Sequence, residues 1–126
     1  MKTVISTPNA PSAIGPYSQA NVVDNLIFTS GQLGMIPATG ELAGDDIQTQ
    51  TRQALTNLKA ILEAAGSSMD KVLKTTVFLS DIANFAPMNE VYAEFFTEGS
   101  YPSRSAFQIG ALPKNALVEI EAVACK

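Results

Sequence analysis

Asp46–Ser80 reads DIQTQTRQALTNLKAILEAAGSSMDKVLKTTVFLS, and within these residues the hydrophobic period changes once. In the first part Ile47, Ala54, Leu55, Leu58, Ile61, Leu62 and Ala65 recur at three- and four-residue steps, which places them on one face of a helix. Asp45 or Asp46 opens it, and Asp45 with Gln48 three positions on resembles a capping box with Asp in place of Ser or Thr. Gly66 is the residue a helix favours just past its last turn. The spacing therefore predicts a helix over 46–65. Residues 71–80, KVLKTTVFLS, are β-branched and aromatic instead, and predict a long strand.

Working outward, Asp81 or Asn84 caps a second helix that tolerates Pro87 in its first turn, where no intrahelical partner for the N–H is needed. Met88, Val91, Tyr92, Phe95 and Phe96 form its apolar face. Two closing strands are expected at 104–109 and 117–124, joined by GALPKNA. Upstream, KTVIS at 2–6 is a short strand. TPNAPSAIGPYSQA carries three prolines and a glycine and reads as loop, with a brief strand over Tyr17–Asn21. Leu26–Ser30 is the next strand, broken or bulged at Gly31 and Gly34, and Pro37 and Gly40 mark a turn. The order is β-β-β-α-β-α-β-β, without repeats or long linkers. It predicts one α+β domain over 1–126, with both helices on one face of a mixed sheet. No third helix is left for the opposite face, so another subunit is expected to cover it.

Composition narrows the function. The 126 residues are 46% hydrophobic and only 16% charged, well under the usual quarter, which fits a chain that buries extra surface in an oligomer. Net charge is −4 and the six lysines are scattered singly, so nucleic acid is not the expected partner. There is no histidine and one cysteine, Cys125. Ser-His-Asp and Cys-His catalysis lack their base, and Cys/His zinc sites lack their ligands. An internal disulfide is impossible, and a reducing, cytoplasmic setting fits. The N-terminal residues do not resemble a signal peptide, and no apolar run reaches the eighteen residues of a membrane span.

Tyr101–Gly110, YPSRSAFQIG, holds one of the two arginines. In the last strand Val118, Ile120, Ala122 and Ala124 make an all-apolar set that suits the helix-facing side, opposite Glu119 and Glu121. By the same logic Phe107 and Ile109 are expected to face the helices and Arg104 the other side. If the two strands pair as a hairpin centred near Pro113, Arg104 shares a face with Glu119 and Glu121. One reading is a cross-strand ion pair on a wet face, worth under about 1 kcal/mol. The other is an arginine whose planar fork captures a carboxylate beside a glutamate that activates water.

The stretch YPSRSAFQIGALPKNALVEIEAVA resembles the signature of the RidA/YjgF family of reactive-intermediate (2-iminopropanoate) deaminases: Pro102, Ser103 and Arg104, then Val118, Glu119 and Ile120. NAPSAIGPYSQA, FTSGQLG and KTTVFLSDIANFAPMNEVYAEFF resemble further family motifs in the same order, so the likeness covers almost the whole chain. The resemblance implies a chorismate-mutase-like fold assembled as a homotrimer with clefts between subunits. It implies hydrolysis of enamine and imine products of pyridoxal-phosphate-dependent dehydratases to a 2-keto acid and ammonia, with no cofactor and no metal.

Residue by residue, it implies that Arg104 holds the substrate carboxylate and Glu119 orients or activates water. Tyr17 and Ser30 match pocket positions, Gly31 a main-chain contact and Asn89 a polar residue at the cleft. Ala106 stands where many relatives carry cysteine, so only a backbone contact is expected there. Glu121 is the alternative carboxylate. A cleft that binds a 2-keto acid or other carboxylate for regulation needs the same arginine, and the residues alone leave that reading open. A ribonuclease role, attached to some relatives, fits poorly with the acidic balance and the missing histidine.

Overall fold

The computed structural model describes all residues 1–126. The elements follow as β1 (Thr3–Ile5), β2 (Ala20–Val23), β3 (Leu26–Thr29), β4 (Gln32–Leu33), α1 (Ile47–Ala64), β5 (Val72–Leu79), α2 (Phe85–Glu94), β6 (Ser103–Gln108) and β7 (Val118–Cys125). The strands form one mixed sheet in the order β1-β2-β3-β7-β5-β6, with β4 also pairing to β7. β2 begins later than Tyr17–Asn21, because Tyr17–Gln19 belong to the loop that precedes it. β3 and β4 both pair antiparallel with β7, and the register slips by one residue between Phe28↔Val123 and Gln32↔Ile120. That is the bulge expected at Gly31.

α1 starts where its sequence says, but the cap is Asp46, whose Oδ2 accepts from the Thr49 N–H at 2.9 Å. The Asp45/Gln48 box does not form: the Gln48 amide reaches across to the Pro87 carbonyl and the Glu90 carboxylate on α2. The helix ends in a Schellman turn, with Ser67 N–H on the Leu62 carbonyl and Gly66 N–H on that of Glu63. Gly66 has φ +82°, the left-handed conformation that makes glycine the suitable residue here. Leu55, Leu58, Ile61 and Leu62 pack with Val77, Leu79, Val118, Ile120 and Met88 in one core between the helices and the sheet. Each such side chain contributes about 1.5–3 kcal/mol by burial. An exposed Arg52–Glu94 ion pair at 3.0 Å links α1 to α2 and adds little, under about 1 kcal/mol.

The closing strands overturn one expectation. β6 and β7 are not a hairpin: β5 lies between them, parallel to β6 and antiparallel to β7. The physical reason lies in β5, which is buried at Val77 and Leu79 on one side and half-buried at Phe78 on the other, and so suits the sheet interior. The serine-rich β6, preceded by Pro102, suits an edge. The connection 109–117 must then cross beneath β5, and it does so through a short 3-10 turn in which Lys114 and Asn115 have φ +59° and +54°.

The faces change with the pairing. Arg104 lies in register with Thr75 and Ala122, both buried on the helix side. Arg104, Ala106 and Gln108 therefore face the helices, and Phe107 does not. β7 itself is sided as expected, with Val118, Ile120, Ala122 and Ala124 buried toward the helices. Phe107 sits on the open face, edge-on to Phe78 with centroids 5.4 Å apart. Ile109 leaves the sheet to join Leu33, Leu112 and Ala116 in a small second cluster. The open face presents Phe28 and Phe107, 45% and 43% exposed, beside Phe78 and Val123. At its Phe78 end it packs against the cluster of Leu33, Leu112 and Ala116, and neither helix lies over the rest.

Candidate functional site

Arg104 is half-buried beneath α2. The guanidinium carbon lies 4.7 Å from the Tyr92 ring centroid and 5.2 Å from that of Phe85, and Nη1 donates to Asn89 Oδ1. Phe85, Asn89 and Tyr92 are spaced i, i+4, i+7, so one stripe of α2 faces the cation. Tyr92 Oη is hydrogen-bonded to Thr75 Oγ1 at 2.7 Å. Burial raises the Tyr92 pKa; the Thr75 bond and the nearby Arg104 charge pull the other way. The ion pair of this chain is Arg52–Glu94; Arg104 has no carboxylate within 4.0 Å. It borders a hollow of about 400 Å³ shared with Asn89, Tyr92, Tyr101 and Pro102.

Glu119 lies on the opposite face of the sheet, in register with Phe78 on β5 and Leu33 on β4. Its pKa is raised, first by burial and second by the negative charge of Glu121 on the same face. Gly31 makes room for it: a Cβ there would stand 2.7 Å from Glu119 Cδ. Ser30 Oγ donates to the Ser18 carbonyl at 2.6 Å, and Ser30 N–H to that of Gln19 at 2.9 Å, so β3 and the 7–19 loop are tied together at this spot. Tyr17, half exposed, projects from that loop. Tyr17, Ser30, Gly31 and Glu119 line one hollow of about 890 Å³, with Lys114 at its edge.

The residues singled out in the sequence thus fall into two groups. Tyr17, Ser30, Gly31 and Glu119 share one hollow, and Arg104 and Asn89 the other. Ala106 follows Arg104 on the same side of β6, in register with Val77 and packed against the core. Within one chain Arg104 and Glu119 do not meet, so the expected cross-strand pair is absent. Its cause is the inserted strand β5.

Sequence reasoning missed the residues that fix the walls. Gln19 accepts from Thr7 N–H at 2.7 Å and donates to the Pro11 carbonyl at 2.8 Å, which folds the loop that carries Tyr17. Gln50 donates to the Gly44 carbonyl and accepts from Leu117 N–H, both at 2.8 Å. Asn57 donates to the Met35 carbonyl at 2.8 Å. The available signal was polar residues inside an apolar stripe: Gln50 and Asn57 share the face of Ala54, Leu58 and Ile61.

A family model described as "Endoribonuclease L-PSP" matches residues 7–126. The chain belongs to that family, which is also called RidA/YjgF. A "2-iminobutanoate/2-iminopropanoate deaminase" of Bos taurus is 51% identical over 124 residues, 98% of this chain and 90% of that protein. A "RutC family protein" of Pyrococcus horikoshii is 56% identical over 126 residues, covering 100% and 99% of the two chains. Among solved structures, the YjgF gene product of E. coli superposes with TM-score 0.94 at 47% identity, 98% of each chain being covered. E. coli TdcF with bound serine gives TM-score 0.92 at 45% identity, again over 98% of each. Helices and mixed sheet are therefore those of the family.

Proposed function

We propose that this protein is a cofactor-free deaminase that hydrolyses 2-imino acids of the 2-iminopropanoate and 2-iminobutanoate type, and their enamine tautomers, to a 2-keto acid and ammonia. The relatives named as deaminases at about half identity support the reaction class. The observation that carries the site is Arg104, half-buried, stacked on aromatic rings and without an acidic partner. Its fork binds the carboxylate that all these substrates share. Tyr17, Ser30, Gly31, Asn89 and the backbone at Ala106 complete the pocket.

The chemistry is mild enough for these residues. Water adds to C2 of the imine, and the tetrahedral carbinolamine then expels ammonia as the keto group forms. Glu119, whose raised pKa makes its carboxylate the stronger base, takes a proton from the water and returns it to the nitrogen, and the carbinol hydroxyl gives up the second proton that leaves with ammonia. Holding the carboxylate fixes C2 beside that water, and each 1.36 kcal/mol so gained is about tenfold in rate.

Arg104 and Glu119 lie in different hollows of one chain, so a site that uses both is completed between subunits. The open face with Phe28 and Phe107 supports a trimeric assembly, which is the chorismate-mutase-like arrangement. A cytoplasmic location belongs to the same reading. A carboxylate-binding regulatory role is the second reading, favoured by the serine, a carboxylate that is not an imine, in the TdcF structure. Against an RNA substrate stand the net charge of −4 and the lack of histidine.

Ammonia release from freshly generated 2-aminoacrylate tests the proposal. Arg104→Ala is expected to lower the catalysed rate on the order of 10²-fold, since it removes a charge-assisted contact. An Arg104→Ala protein as active as the wild type overturns it. Glu119→Gln is expected to lose turnover while still binding a 2-keto acid; a protein that binds but never turns over the imine, mutated or not, selects the regulatory reading.

A further inference from the structure

We infer that Phe85 and Tyr92, the latter held by Thr75, are positioning residues for Arg104 that orient its free edge toward a planar carboxylate. This rests on the carboxylate role of Arg104 argued above. Arg104 makes one hydrogen bond to the protein, Nη1 to Asn89 Oδ1, which leaves the fork edge of Nε and Nη2 for a ligand. A long arginine side chain has several rotatable bonds, and freezing it on ligand binding costs affinity. Two aromatic faces at 4.7 and 5.2 Å restrict the guanidinium before the ligand arrives.

Tyr92 is the rigid member of the pair. It is 4% exposed, its hydroxyl is bonded to Thr75 at 2.7 Å, and Thr75 is itself 1% exposed. Thr75 is also the residue paired with Arg104 across β5 and β6. The arginine backbone and the ring beside its guanidinium are thus referenced to the same residue. Phe85, at the first position of α2, is half-buried and closes the surround. A lysine could not use this arrangement, since its ammonium has neither the plane nor the fork.

The test compares Tyr92→Leu, Tyr92→Phe, Phe85→Leu and Met88→Ala with the wild type in KM, kcat and affinity for 2-ketobutyrate. Met88 is fully buried on α2 but is not among the residues around Arg104. Tyr92→Leu and Phe85→Leu are expected to raise KM and the 2-ketobutyrate Kd about tenfold while kcat changes less than about twofold, the signature of lost uniform binding. Tyr92→Phe keeps the ring and is expected to stay within about threefold. Met88→Ala is expected to lower the melting temperature without moving KM. Unchanged KM in Phe85→Leu and in every folded Tyr92 variant overturns the inference, as does an equal rise in Met88→Ala. If Arg104→Ala itself leaves turnover intact, it is the deaminase reading that has failed.

Discussion

At the scale of single residues, the carboxyl of Glu119 is held above the usual glutamate range because it is half-buried and because Glu121 repels its ionised form. The direction fixes two consequences. A raised carboxylate pKa means that the base form appears only as pH climbs past that higher value. The acidic limb of kcat/KM is therefore expected above the ordinary pKa of a glutamate, with activity rising through it. Glu121→Gln removes the repulsion and is expected to move the limb to lower pH; a limb that stays or moves upward contradicts the assignment of Glu119 as base. For stability the sign is the opposite. The folded state binds the proton more tightly than the unfolded one, so Glu119 is a stability cost above its folded pKa and none below the unfolded value. Glu119 and Arg104 were legible in the sequence as residue types. Their separation was not, since it depends on β5 entering between two strands that are neighbours in the chain.

Elements with a strong period were readable, and those joined by a register choice were not. α1 is seen within one residue of its predicted ends because its stripe, its Asp cap and Gly66 agree. β6 carries two serines, an arginine and a glutamine among its alternating positions, and Phe107 is a misleading guide because an exposed face also takes aromatics. The buried polar residues of α1 give the element scale its own prediction. Gln50 satisfies the Gly44 carbonyl and the Leu117 N–H, two residues before Glu119. Gln50→Leu keeps the volume near constant and strands both groups, at a cost of about 2–4 kcal/mol. Urea unfolding is expected to give a lower midpoint with an unchanged slope, and a midpoint equal to that of the wild type would show that these bonds are not what ties α1 to β7.

At the scale of the molecule, the sheet lacks a third layer. The sheet has helices on one side; on the other Phe78 packs against the cluster of Leu33, Leu112 and Ala116, while Phe28 and Phe107 stay exposed. If that face is where copies meet, the hollow of Glu119 from one chain and that of Arg104 from another can form a site that neither chain holds alone. Mixing two inactive proteins decides it. Arg104→Ala chains keep Glu119, and Glu119→Gln chains keep Arg104. After joint unfolding and refolding at equal amounts, random assembly of the proposed trimer leaves both residues intact at about a quarter of the interfaces if the two come from adjacent subunits. Ammonia release is then expected to recover to about a quarter of the wild-type rate, since a symmetric ring gives each interface the same chance. Were the two residues used from one chain, no mixed trimer would contain an intact pair, and activity would stay at the level of the separate variants.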